Sequence, residues 1–303
     1  MPIPRFFLEK RRPAAPATGR RRALSLLLPL LLASPLIASA QTELTGLAKI
    51  QAGGTLKVAV YKDNAPFSDG PAADMKGLDV DIAAALARQM KLKLALLPFD
   101  AGENMNDDLR NMVWRGHYLG YGPAHVMLHV PVDKYLMREN RQTLIFAPYM
   151  RQYQVLLHDK RVLPDVSGPD DLKGVKLAAE RGTGSASVLM GHHGGELRAQ
   201  VSVYNSGVQA AQAALDGKAA GAYVMRAQAE SALSNLPPEA ASQWGLSPLA
   251  LQGQPPNGWP LGMAIKADAK DLGEALEKAL QALRESGELL ALFKKHGMTL
   301  TAP

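Results

Sequence analysis

Seven histidines and no cysteine set the limits on metal and nucleophile chemistry in this chain. His125 and His129 stand four apart on what reads as one strand, hence on one face, with His117 nearby. A metal needs three or four ligands brought together, and no cysteine or tight carboxylate cluster accompanies these residues, so no metal site is expected. Acid–base work would fall to His129 and Asp133. Asp79 and Asp81 have the spacing of a catalytic carboxylate pair, but capping of a helix accounts for them better. His192-His193, in a glycine-rich segment, reads as solvated loop. Gly182-Thr183-Gly184-Ser185 presents backbone N–H groups at a helix start, which is either an anion site or a plain strand-to-helix turn. Arg226 offers a cationic contact for an anion. There is no Gly-x-Ser-x-Gly elbow, phosphate loop or zincin motif, and no cofactor is expected.

The most distinctive stretch runs from Gly102 to Asp133. Asn106 is the expected N-cap of a short helix, with Asp107 and Asp108 in its first turn and Leu109, Met112 and Val113 on its apolar face. Gly116 ends it. His117-Tyr118-Leu119-Gly120-Tyr121-Gly122-Pro123-Ala124 follows without helical or strand period, and Val126 to Val130 reads as a buried strand stopped by Pro131. Aromatics on flexible glycines beside a strand end suit a binding surface. The alternative is that Trp114, Tyr118 and Tyr121 merely pack down on the protein.

The rest of the chain must position these groups. Gln41–Gly54 reads as a helical lead-in. Thr55–Val60 is a strand, Asp79 the expected cap of a helix with Ile82, Ala85, Leu86 and Met90 inward, and Lys91–Leu97 a second strand. In such a β-α-β unit parallel pairing is the default. Further strands are expected at Gln152–His158, Val175–Ala179, Val201–Tyr204, Ala220–Val224 and Leu261–Ile265. Asp170 is expected to cap a short turn, and Val208–Leu215 is expected to be helical. Asp268 should cap a long helix through Leu283, and a last helix should run from Gly287 to His296. Pro237-Pro238 and Gly253–Gly258 are breakers. The alternation is that of an α/β protein.

Arg20-Arg21-Arg22, the apolar run Ala23–Ala33 and Ala38-Ser39-Ala40 read as a cleavable signal peptide over residues 1–40, broken by prolines and so not a lasting span. That leader holds seven Lys/Arg and one Glu, which leaves 27 basic against 27 acidic residues in the remaining 263. The pI of 9.4 is thus a property of the leader, and no basic stripe points to nucleic acid. Without cysteine there is neither a disulfide framework nor a lipid-anchored cysteine, and no membrane anchor is expected. The expected destination is the periplasm.

LKVAVYKDNAPFSD (Leu56–Asp69), GLDVDIAAALARQM (Gly77–Met90), IFAPYMRQYQVLLH (Ile145–His158), DLKGVKLAAERGTGSAS (Asp171–Ser187) and GWPLGMAIKAD (Gly258–Asp268) follow one another in a recognisable order. With them the chain resembles the bacterial extracellular solute-binding proteins of family 3, of type 2 periplasmic-binding fold. That resemblance implies two α/β lobes joined by two crossing strands, lobe 1 at residues 48–152 plus 249–303 and lobe 2 at 153–248, with ligand held between them. DDLRNMVWRGHYLGYGPAHVMLHVPVD resembles the subset associated with quinoprotein alcohol dehydrogenases, notably the J-type accessory proteins of methanol dehydrogenase. His125 stands where that pattern carries Asp.

The family's amino-acid receptors grip a substrate carboxylate with an Arg and its ammonium with an Asp. Here those positions fall in Val130–Lys134 and near Met225, with neither residue present, so ordinary amino-acid capture is disfavoured. The residues left to bind ligand are Phe67 as a stacking wall, Tyr118, Tyr121, His129, Asp133, Tyr149, Thr183, Ser185 and Arg226. The resemblance implies a non-enzymatic partner protein of a quinoprotein alcohol dehydrogenase or its cytochrome c. The alternatives are a receptor for an ATP-driven importer, partnered by its permease, and an enzyme similar to the cyclohexadienyl dehydratases. Fold alone does not separate the three.

Overall fold

The computed structural model describes residues 46–249 and 251–303. The expected signal peptide lies outside these residues, as does the start of the lead-in helix. Helix α1 (Gly46–Gly53) ends where Gly54 turns left-handed. Strand β1 (Thr55–Tyr61), helix α2 (Leu78–Gln89) and strand β2 (Lys93–Phe99) make the expected unit, with β1 and β2 parallel from Thr55 opposite Lys93 to Tyr61 opposite Phe99. Helix α3 (Met105–Leu109) widens into a π-helical turn over Arg110–Trp114 and stops before Gly116, at φ 90°. Its cap is Asn104, not Asn106: Asn104 is extended, and its Oδ1 accepts from the N–H groups of Asn106 and Asp107.

Strand β3 (Val126–Pro131), helix α4 (Lys134–Glu139) and strand β4 (Thr143–Gln152) follow, and the chain crosses at Tyr153 into strand β5 (Gln154–Asp159). Strand β6 (Leu177–Glu180), helix α5 (Gly184–Gly191), strand β7 (Val201–Tyr204), helix α6 (Gly207–Leu215), strand β8 (Gly221–Met225), helices α7 (Arg226–Leu233) and α8 (Pro238–Ala241) and strand β9 (Trp244–Ser247) build the second half. The chain then returns as strand β10 (Trp259–Lys266), helix α9 (Lys270–Glu285) and helix α10 (Glu288–Lys295). Helices α4 and α7 and strand β9 were not legible as such in the sequence. Asp268 and Asp170 are not caps: Ala269 precedes α9, and Gly168 precedes the turn Pro169–Leu172, where Asp171 accepts from the Gly168 N–H.

Two five-stranded mixed sheets result, in the orders β2-β1-β3-β10-β4 and β7-β6-β8-β5-β9. Period-two alternation along β1 explains how the first is covered. Leu56, Val58 and Val60 join the core beneath α2 and α9, while Ala59 and Tyr61 face Met112 and Met127 on the other side. Helix α9 buries Leu272, Leu276, Leu280 and Leu283, a stripe at four-residue and three-residue spacing, each worth about 2 kcal/mol of burial. Around the second sheet the core is alanine-rich, with Ala210, Ala211 and Ala214 of α6 against Val155, Leu157 and Val224. No described helix is long and apolar enough to cross a membrane.

Candidate functional site

Two bulges flanking one strand create the centre of the site. Strand β10 lies between β3 and β4, antiparallel to both. Gly262 pairs with Val130 and Ala264 with Met127, so Leu128 and His129 together face Met263 alone. The extra residue is absorbed at His129, whose φ of 63° is left-handed. On the other side Leu261 pairs with Met150 and Met263 with Phe146, so Ala147, Pro148 and Tyr149 face only Gly262, and Ala147 adopts φ 49°. Glycine is required between the bulges, because a Cβ on Gly262 would lie 2.4 Å from the Phe146 carbonyl oxygen. The bulge overturns the expected shared face of His125 and His129. His125 instead precedes β3 and accepts the Lys57 N–H on Nδ1 at 3.0 Å.

The two displaced side chains meet on Asp79. Its Oδ2 is 2.8 Å from His129 Nδ1, and its Oδ1 accepts from the Tyr149 hydroxyl at 2.8 Å. The same hydroxyl accepts the His129 backbone N–H at 3.0 Å, closing a three-residue network. Asp79 is no cap: Gly77 precedes α2, without a side-chain cap, and Asp79 turns inward from the first helical turn at 1% exposure. There the helix dipole favours its negative charge. Burial pushes the Tyr149 hydroxyl well above its ordinary pKa, and neighbouring Asp79 pushes it further. Phe67 is buried behind the imidazole, ring centroids 4.4 Å apart, and Tyr61 meets it edge-on at 6.4 Å. With Nδ1 held by a carboxylate, the imidazole is left Nε2 to offer a ligand.

His129 lines a cavity of about 390 Å³ between the two sheets. Tyr61, Pro131 and Gln152 come from strand ends of the first sheet, Trp259 from the start of β10, and Glu180 from the end of β6 in the second. This is where open α/β sheets bind ligand, beyond the carboxyl ends of parallel strands. Gln152 is buried, and its Oε1 has no hydrogen-bond partner among the described residues. Glu180 accepts from Gln228 Nε2 at 3.1 Å, and burial raises its carboxyl pKa above the ordinary range against the pull of the Gln228 and Gly207 donors. Lys62, also in the lining, is held by Asp100 at 3.0 Å. Tyr61 donates to buried Asp108 at 2.8 Å, and burial, then Asp108, drives its hydroxyl pKa well up. A larger recess of about 990 Å³ opens under the returning chain, with Tyr153, Gln154, Tyr223, Leu249 and Trp259 in its wall.

The remaining expected residues are dispersed. Thr183 caps α5 by accepting the Ala186 N–H, and buried Ser185 accepts from Nε2 of Gln154, which itself lines the larger recess; neither Thr183 nor Ser185 lines either cavity. Asp133 caps α4 by accepting the Leu136 N–H at 2.8 Å. Arg226 is bound to Glu230 at 2.6 Å and to the Tyr153 hydroxyl, outside the 390 Å³ cavity. The aromatic loop is split: Tyr121 packs half-buried on the core while Tyr118 is 88% and Leu119 68% exposed. His117 is stacked on Tyr121 and tilted against Tyr118, with ring centroids 4.3 Å apart in each pair. Gln152, Glu180, Tyr61 and Trp259 carry no motif that marks them as site residues in the sequence. Asp79 carries a signal, as one of two acids at a helix start.

No protein-family model matches the chain, and no curated protein matches it in sequence. Solved structures do. An ancestral cationic amino acid solute-binding protein is similar at 21% identity and TM-score 0.63, covering 82% of this chain and 98% of its own. An amino acid ABC transporter substrate-binding protein from Streptococcus pneumoniae, bound to L-arginine, is similar at 18% identity and TM-score 0.58, covering 86% of this chain and 100% of its own. A polar amino acid ABC uptake transporter substrate-binding protein from Streptococcus thermophilus is similar at 17% identity and TM-score 0.60, covering 84% and 90%. At these identities the likeness is one of fold, and the α/β architecture is that of the two-lobed periplasmic-binding proteins.

Proposed function

We propose that this chain is a non-enzymatic extracytoplasmic solute-binding protein of family 3, which captures a small solute between lobe 1 (48–152 plus 249–303) and lobe 2 (153–248). The observation that carries the reading is the cavity shared by His129, Gln152 and Glu180, whose groups come from both sheets. Closure on a ligand touching both halves would be the working motion. The lining carries the carboxylates of Glu180 and Asp63, the amides of Gln152 and Asn64, and the imidazole of His129, whose Nδ1 is held by Asp79 and whose Nε2 is left for a ligand. Trp259 adds a flat apolar wall. Two carboxylates in the lining and, among the described residues, no arginine favour a donor-rich solute, an amine or polyol, over one that needs a guanidinium clamp.

As a transport receptor the protein would deliver its ligand to an ABC permease, the role named for the streptococcal proteins of similar fold. Native mass spectrometry of protein purified from periplasm, followed by calorimetry with diamines, polyols and L-amino acids, tests this reading. Binding of an amine or polyol that is lost in His129→Ala and Gln152→Ala supports it. Micromolar capture of a common L-amino acid, about −8 kcal/mol, overturns the specificity.

A second reading, partnership with a quinoprotein alcohol dehydrogenase or its cytochrome c, is favoured by one observation. Tyr118 and Leu119 project from a loop whose base is fastened by the His117 N–H to Tyr121 carbonyl bond at 2.8 Å. An exposed aromatic on a held loop is suited to a protein contact. Co-purification of a dehydrogenase with the wild type but not with Tyr118→Ala would support this reading. Equal recovery with both would sink it.

A further inference from the structure

We propose that Asp170, His192 and His193 form a binding site for a divalent d-block cation of the zinc class, at the periphery of the second sheet. One ring nitrogen from each histidine and one carboxylate oxygen lie within 4.8 Å of one another. They come from two segments, the turn after Gly168 and the short 3-10 turn that follows α5. Bonds of about 2.0–2.2 Å put ligand atoms about 3.3 Å apart, so the groups need to close by at most about 1.5 Å. Two of the three are on exposed side chains free to make that adjustment.

Two further features single this cluster out from an ordinary polar loop. The Nε2 atom of His192 is sealed from solvent with no hydrogen-bond partner among the described residues, a costly state for a ring nitrogen. His193 is held at φ 44° and ψ 46°, a strained conformation for a residue with a side chain, and its ring lies stacked on that of His192 with centroids 4.0 Å apart, so that ligation of one ion by both turns one exposed ring out of the stack. Both histidines and Asp170 line one recess of about 460 Å³, whose wall also includes Gln252 from the segment that returns to the first sheet. The other five histidines are differently employed: His158 has both ring nitrogens engaged, His129 is held by Asp79 and His296 by Asp81, and the Nδ1 atoms of His117 and His125 accept the backbone N–H groups of Leu119 and Lys57.

The donor set selects the ion. Two imidazoles and one carboxylate suit zinc, nickel or copper, whereas calcium and magnesium need six or more oxygens or a nearly complete water shell. Lys173 pairs with Asp170 Oδ1 at 3.0 Å and with Glu196 at 3.2 Å, and His193 Nδ1 lies 3.7 Å from Glu196, so an ion would displace exposed pairs of little strength. Three protein ligands leave a fourth position for water. A bound ion would staple the Gly168 turn to the end of α5 and stabilise the fold by mass action.

Calorimetric titration of tag-free full chain with zinc sulfate tests the site, with calcium and magnesium chloride as comparisons. The expected result is one zinc ion per chain and no calcium or magnesium binding. His193→Gly, which tolerates the left-handed backbone, and Asp170→Asn should each weaken zinc binding about tenfold or more, with circular dichroism unchanged. His192→Ala should do the same, and cobalt substitution should give a visible spectrum that these variants lose. No zinc binding at millimolar zinc, zinc binding undiminished in His193→Gly and Asp170→Asn, or a preference for calcium would each overturn the proposal.

Discussion

Replacing Tyr149 by Phe removes one oxygen atom from a fully buried ring and tests whether the Asp79 network is a structural keystone. The hydroxyl donates to Asp79 Oδ1 at 2.8 Å and accepts the His129 N–H at 3.0 Å. A hydrogen bond to a charged acceptor contributes about 1.5–3 kcal/mol, and a buried N–H left without an acceptor costs about 1–3 kcal/mol. These overlap, because the carboxylate and the N–H relax together, so the expected loss is about 3 kcal/mol. For a chain of this size that lowers the melting temperature by about 6–12 °C. The control is Tyr223→Phe. Tyr223 is equally buried, and burial lifts its hydroxyl pKa to about 12, yet no hydrogen bond holds that hydroxyl among the described residues. It should lose less than about 1 kcal/mol. Urea denaturation followed by tryptophan fluorescence and by circular dichroism measures both and checks that a single transition is being read. Equal losses in the two variants, or a loss below about 1 kcal/mol in Tyr149→Phe, would refute the argument that this network holds the bulges in place.

Three further outcomes are expected. Gly262→Ala should destabilise by about 2 kcal/mol or more, because its methyl would sit 2.4 Å from the Phe146 carbonyl oxygen; thermal melting within 2 °C of wild type, about 1 kcal/mol or less, would contradict this. Tyr121→Ala should cost about 2–3 kcal/mol of stability through its half-buried ring, whereas Tyr118→Ala should cost under about 0.5 kcal/mol, and comparable melting temperatures would show that the loop is not divided as described. Burial tends to raise the Asp81 carboxyl pKa, but hydrogen bonds from Lys295 and His296 outweigh it, so the folded pKa lies below the ordinary value. With the folded pKa depressed, the stabilisation is present above the unfolded value, near roughly pH 3.9, and is lost as pH falls through the folded one. Melting curves between pH 5 and pH 2.5, roughly that window, should show Asp81→Asn with a shallower acid limb than wild type, and parallel limbs would disprove the linkage.

Much of the scaffold was legible because its signals are local. The β-α-β unit from Thr55 to Phe99 announces itself by alternation, then a helical apolar stripe, then alternation again. Helix α9 does so by the spacing of Leu272, Leu276, Leu280 and Leu283. Strand β9 was missed because Trp244-Gly245-Leu246-Ser247 has no period, and its place beside β5 is decided by residues more than eighty positions away. Helix α4 is hidden in the sequence because Asp133 has the residue type of an acid–base group, whereas its carboxylate caps the helix. The two roles use the same residue type, and only the Leu136 N–H decides between them.

The centre of the site was illegible for a more specific reason: every rule used to read it is broken there. Period-two alternation placed His129 with His125, but one extra residue in β3 turns the imidazole away. Capping preference made Asp79 a solvent-facing cap, but Gly77, at φ 131° and with no room for a Cβ beside the Phe67 carbonyl oxygen, starts the helix two residues earlier and sends Asp79 inward. Positive φ favours glycine, yet His129 and Ala147 adopt it on the two strands that flank Gly262. Each departure costs about 1–3 kcal/mol by itself. Together they bring an acid, a base and a phenol into hydrogen-bond contact, which regular strands at these positions could not do. A backbone that accepts left-handed residues on both strands flanking β10 requires something to hold it there, and the Asp79, His129 and Tyr149 network supplies that restraint. The strain and the network therefore stand or fall together, and this is why removal of one phenolic oxygen is expected to be felt across the whole fold.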